Sequence, residues 1–164
     1  MMPTPSALHL YWYSGTALYS RIIRAITGGG AFSHVAILVN GRFYEANRGG
    51  VVVLTGRAIE ERTEQAVAWF TMPLTEAHAT VTRHYLDMSI GQPYSWSEAF
   101  LAGVSSLTGW RIKLNWYAAY ICSGLAAEVL SLNGQTFPKP PSTINPNELA
   151  AWLDVTPYPT RKAV

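Results

Sequence analysis

The sequence predicts an α+β fold in which an antiparallel sheet packs against helices. Three observations carry that reading. Two strand-like runs flank Asn40-Gly41, a dipeptide that strongly favours a two-residue hairpin turn. Helical spacing of apolar residues occurs in separate blocks, at Thr16–Ile26, Thr75–Ser89 and Cys122–Leu132. The strands cluster in the first half of the chain instead of alternating with helices, which argues against a doubly wound α/β sheet.

Taken in order, Leu8–Tyr13 reads as a short, buried strand ended by Ser14-Gly15. Leu18, Ile22, Ile23 and Ile26 then recur at helical spacing with Arg21 and Arg24 between them. Gly28-Gly29-Gly30 breaks the chain as a plain connector, since no Lys-Ser/Thr follows to make a phosphate loop. Ser33–Val39, the Asn40-Gly41 turn, Arg42–Ala46, the Gly49-Gly50 turn and Val51–Leu54 form a three-strand meander. Gln65–Phe70 is a further strand. Thr75 is positioned to cap a helix whose inner side carries Ala79, Leu86 and Ile90. After Gly91-Gln92-Pro93-Tyr94 comes a loosely helical stretch, Ser95–Trp110. The Cys122–Leu132 helix turns Leu125, Val129 and Leu132 inward and stops at Asn133-Gly134. Pro138–Pro141 is an extended connector. Asn145 caps a last short helix with Pro146 at its first position.

The 164 residues read as a single domain spanning 1–164, because chains usually divide only above about 250 residues. Hydrophobic residues make up 49%, which excludes a disordered chain. Charged residues are only 13%, about half the usual share of about 25%, while Trp, Tyr and Phe are plentiful. That balance anticipates an apolar substrate, an apolar partner or a membrane-surface contact. A net charge of +2 without a Lys/Arg run argues against nucleic acid. No apolar run reaches the roughly 18 residues of a membrane span, and the first basic residue is Arg21, so no secretory signal is expected. A soluble chain, cytoplasmic or virion-associated, is the expectation.

One cysteine excludes an intrachain disulfide and a cysteine-rich zinc site. His78 and His84 lie about 240° apart around a helix and cannot share a ligand face, and His9 has no carboxylate near it in the strand. Neither a metal nor a cofactor is expected. Cys122 is either an inert core thiol or a nucleophile. Small neighbours, Ser123 and Gly124, and a place in the first turn of a helix favour the second, since the helix N-terminus stabilises thiolate. The hairpin supplies partners. With Val39 opposite Arg42, Ala36 faces Glu45 and His34 faces Asn47, so His34, Glu45 and Asn47 share one side of the sheet. An imidazole beside a carboxylate or an amide is the base-and-orienter half of a nucleophilic triad. Register favours Asn47 as orienter, and charge-assisted bonding favours Glu45. Glu45 could instead be merely a solvated strand residue that pairs with a nearby arginine.

Four segments together resemble the NlpC-type papain-fold peptidases. Tyr120-Ile121-Cys122-Ser123-Gly124-Leu125 resembles their nucleophile motif, and Gly91-Gln92-Pro93-Tyr94-Ser95-Trp96 the segment before it. Ser33–Ile37 followed by Phe43–Ala46 is similar to their histidine hairpin. His34 precedes Cys122 by 88 residues, the reverse of the usual order. That order, and the ending Asn145–Leu149, resemble the circularly permuted branch, the YiiX/YaeF-like enzymes and the lecithin:retinol acyltransferase relatives. Those relatives often carry Glu at the position of Gly124; the non-permuted branch carries Gly. The resemblance implies a permuted papain-like fold with Cys122 as nucleophile at a helix N-terminus, His34 as base and Glu45 as orienter. It places Tyr94 beside the oxyanion, with Ser33, Asn47 and Ser123 as further oxyanion or substrate-binding candidates. It implies a cysteine hydrolase cleaving an amide or ester in a small peptide, a peptidoglycan-type peptide or a lipid acyl group. The alternatives are a thiol acyltransferase to lipid or amine acceptors, and a non-catalytic cell-wall or virion-associated binding module.

Overall fold

The computed structural model describes residues 6–15, 18–26, 29–47, 49–93 and 122–158. Strand β1 (Ser6–Tyr13) is followed by helix α1 (Leu18–Ile26) and then by β2 (His34–Val39), β3 (Arg42–Asn47) and β4 (Gly50–Leu54). Helix α2 (Arg57–Glu64), strand β5 (Ala68–Leu74) and helix α3 (Glu76–Ser89) come next. Beyond the undescribed segment stand α4 (Cys122–Leu132), a 3₁₀ turn (Pro141–Thr143) and α5 (Pro146–Trp152). The fold is α+β around a five-stranded antiparallel sheet of order β4-β3-β2-β1-β5. Among the described residues no helix is long and apolar enough to cross a membrane.

Local chemistry explains the elements. Asn40 and Gly41 both hold positive φ, 47° and 71°, as a two-residue primed turn requires, and Val39 pairs with Arg42 across it. Thr75 caps α3 through its hydroxyl, which accepts the His78 N–H at 3.2 Å. Asn145 opens α5 in a reciprocal cap with Glu148, an arrangement worth about 1 kcal/mol for the Asn side chain. Several details depart from the sequence reading. β5 runs Ala68–Leu74, later than expected, and the proline connector winds into the 3₁₀ turn. Ile90 and Leu132, expected inward, are exposed, Ile90 as the residue that follows α3 and Leu132 as the last residue of α4. Helix α2 lies where no helix was anticipated. It has no buried residue and no side-chain cap, so apolar spacing announces it only faintly.

Alternation along the strands divides the sheet into two faces. Leu8, Leu10, Trp12, Val35, Ile37, Val39 and Tyr44 point to one face and pack against α3, α4 and α5. Tyr13, Ala36 and Phe43 point to the other, where Ile59 of α2 and Ala66 cover them. Cys122 belongs to the first side, and His34, beside Tyr13, to the second.

Candidate active site

His34 and Glu45 are carried by the two arms of one hairpin. Paired residues share a face, so the turn at Asn40-Gly41 is what puts them on the same side. His34 Nε2 lies 3.1 Å from Glu45 Oε1. The His34 side chain is 16% exposed and that of Glu45 7%, so water screens this contact little.

The thiol meets the same ring. Cys122, the first described residue of α4, is in hydrogen-bonding contact with His34. The two side chains start from opposite faces of the sheet and meet because the sheet opens between them. Val39 and Arg42 close the turn, so Ile37 and Val35, in phase with Val39, aim their peptide groups at β3. Ile37 pairs with Tyr44, and the β2–β3 pairing ends there. The Val35 N–H, next in phase, hydrogen-bonds the sulfur instead, as does the N–H of Ser123 in the first turn of α4. These amides and the helix dipole favour the anionic form of sulfur.

Protonation follows from that geometry. Burial by itself would push the His34 imidazolium down. The thiolate's charge and hydrogen bond, followed by Glu45, outweigh it and raise the group to about 9. Burial would raise the Cys122 thiol, but the facing imidazolium and the two N–H groups bring it below its ordinary value. Burial also opposes ionisation of Glu45, and bonds to His34 and Arg62 lower it nonetheless. These shifts all favour a thiolate–imidazolium pair held by an ionised carboxylate over the neutral thiol and imidazole.

A chain of hydrogen bonds fixes the distance between nucleophile and base. Ser123 donates its hydroxyl to the Ile144 carbonyl at 2.6 Å. Three residues on, Asn147 grips the Phe32 backbone twice, accepting from its N–H and donating to its C=O, both at 2.9 Å. Phe32 leads directly into Ser33 and His34. A Cβ on Gly30 would lie 2.2 Å from the Asn147 side chain, so the Gly connector makes room for this clamp.

The remaining candidates divide. Asn47 turns its Oδ1 to the Gly49 N–H at 2.9 Å, which shapes the next turn, and the imidazole goes to Glu45. Strict register favoured Asn47, but the ladder stops before it reaches His34. The Ser33 hydroxyl accepts from Gly15 N–H and donates to the Tyr13 carbonyl, so it ties β2 to the end of β1 and does not face a substrate. The Ser123 hydroxyl is committed to Ile144, as above, and only its backbone N–H serves the sulfur. Tyr94, and the helical stretch read at Ser95–Trp110, lie outside the described residues. Among the described residues no group of three or more His, Cys, Asp or Glu side chains is arranged to hold a metal ion.

Arg62 is the residue that sequence reading missed. It reaches Glu45 Oε1 from α2 through Nε, at 3.1 Å, and through a second, short contact from Nη2. A helical reading of the segment would have found it. Ile59, Arg62 and Ala66 recur at i, i+3 and i+7, the spacing of one helix face. No protein-family model and no curated protein matches the chain.

Proposed function

We propose that the protein is a cysteine-nucleophile hydrolase that cleaves an amide or ester bond, with Cys122 as nucleophile, His34 as base and acid, and Glu45 as orienting carboxylate. In this reading the fold is a permuted papain-like one of the NlpC type. One observation carries the proposal. A buried imidazole is bonded through Nε2 to a carboxylate and is in hydrogen-bonding contact with a thiol at a helix N-terminus. A packing cysteine needs none of these partners.

The chemistry runs in two halves. The Cys122 thiolate attacks the carbonyl carbon, and the electrons of the C=O bond move onto oxygen. The backbone N–H of Cys122, at the start of α4, is the donor best placed for that oxyanion. As the intermediate collapses, His34 gives its proton to the leaving nitrogen or oxygen, and a thioester remains. His34 then takes a proton from water, which attacks the thioester, and the second collapse releases the acid and restores the thiolate. Glu45 accepts the Nε2–H throughout, so the ring stays aligned and its positive charge stays stabilised. Peptides, peptidoglycan-type peptides and lipid acyl groups are the substrate classes to try, since the chain is poor in charge and rich in aromatics.

Intact-mass spectrometry after incubation with one substrate of each class tests the reading. A covalent adduct on Cys122 that water clears is the expected result. An adduct cleared only when an amine or lipid acceptor is added would make the protein an acyltransferase. No adduct with any class, together with a thiol that iodoacetamide modifies only after denaturation, would return Cys122 to the core.

A further inference from the structure

Glu45 is claimed by two cations on the same oxygen. His34 Nε2 approaches Oε1 from β2, and the Arg62 guanidinium approaches it from α2. Arg62 is itself restrained on three sides. Its carbonyl accepts the Tyr13 hydroxyl at 3.1 Å, its guanidinium carbon lies 4.5 Å over the Tyr13 ring, and its Nη1 donates to Gln65 Oε1 at 3.0 Å. Tyr13 also stacks beside the His34 ring, with centroids 5.7 Å apart. The Arg62 side chain is 30% exposed, but the carboxylate it meets is only 7% exposed, so the pair is screened less than a fully exposed one.

The charges form an alternating series. In the thiolate–imidazolium form Cys122 is negative, His34 positive, Glu45 negative and Arg62 positive. The titratable groups facing the series are Tyr13 and Tyr11 of β1, and burial raises both above the ordinary phenol value, so they stay neutral. The four charges therefore sum to zero. Without Arg62 the same pocket would hold a net negative charge away from water. The least costly relief is uptake of a proton by Glu45 or Cys122. Either event silences the nucleophile, by loosening the imidazolium or by protonating the sulfur itself.

Resting on the triad reading above, we propose that Arg62 is a positioning residue of the reaction, which keeps Glu45 ionised and aimed at His34 by completing a charge-neutral series of four. It touches no reacting atom and acts only through Glu45.

The test is the pH profile of Cys122 alkylation by iodoacetamide, which needs no substrate. R62M should carry the acid limb of the profile about one unit higher, so that it reacts more slowly than the wild type at pH 6, by up to tenfold at the foot of the limb, and within about twofold of it at pH 8.5. R62K keeps the charge and should recover most of the pH 6 rate. Should R62M fail to fold, R62Q and R62K carry the same contrast, with R62Q slow at pH 6 and R62K close to wild type. An R62M profile that overlays the wild type, or that falls by one factor at every pH, would reduce Arg62 to a scaffold residue. A wild-type Cys122 that is itself unreactive at pH 6 would sink the triad reading instead, so the two failures are separable.

Discussion

Strand β3 carries two ionic clusters, one at each end, and they behave differently. At the turn end Arg42 pairs with Asp87 of α3 at 2.9 Å, and Tyr44 donates to the same Asp87 oxygen at 2.7 Å. At the open end Glu45 holds His34 and Arg62. The distances are alike. The surroundings differ at the carboxylate: Asp87 is 29% exposed and Glu45 7%, while the two arginines, Arg42 and Arg62, are 40% and 30% exposed. Water screens the first cluster, which fastens α3 to the hairpin. The second centres on a carboxylate held away from water, so proton positions there depend on every member. An ion pair close to water is a fastening, and the same pair away from water is a control on reactivity.

The largest effect that tests this contrast comes from His34. His34→Ala should lower kcat/KM on an accepted substrate by roughly a thousandfold or more, at the upper part of the range for a lost general base. It should also slow alkylation of Cys122 at pH 6. Alkylation that stays as fast in this variant would show that the helix N-terminus alone makes the thiolate.

Next in size is the pH response. The Cys122 thiol is lowered and His34 is raised to about 9, which widens the range in which thiolate and imidazolium coexist and sets its upper edge near that pH. A plot of kcat/KM against pH should be bell-shaped, with its alkaline limb near 9, as His34 loses the proton it must give to the leaving group. An alkaline limb near 6.5 would mean that the thiolate is not raising the imidazole. Stability carries a related sign. Glu45 is lowered by folding, so its contribution is present above the ordinary value of 4.5 and is lost as pH falls through its depressed folded value. Thermal melts of Glu45→Gln should therefore fall less steeply with acid than those of the wild type.

Glu45→Gln itself should cost about ten- to a hundredfold in kcat/KM, since a neutral oxygen replaces one that stabilises the imidazolium. Asn47→Ala should stay within about twofold, because its side chain serves the Gly49 turn. A reversal of those two results would hand the orienting role to Asn47. The smallest effect belongs to the turn end. Asp87→Asn should leave the alkylation profile unchanged and move Tm by no more than about 2 °C, as expected when a screened pair is weakened. If it shifted the alkylation profile, the two ends of β3 would be coupled and the contrast between them would fail.

The amino-acid sequence by itself determined the local geometry of the base. Asn40-Gly41 can adopt the positive φ values of a primed turn, and strand alternation then leaves His34 and Glu45 on one face wherever the hairpin is placed. The helix starts at Thr75 and Asn145 were legible for the same reason, since a capping side chain bonds to its own backbone within three residues. Cys122 could be singled out as the only thiol and as a first-turn residue, but only the resemblance to the NlpC-type peptidases, and no spacing or register, paired it with His34. Their meeting depends on where the β2–β3 ladder ends, on the Val35 N–H turning to sulfur, and on the Ser123–Ile144 and Asn147–Phe32 bonds that hold α4 to the start of β2. Arg62 was hidden further still, on a polar helix with no buried residue. Contacts between groups distant in sequence carry no periodic signature, and only the packed sheet, by excluding water from Glu45, decides which charges must be matched there.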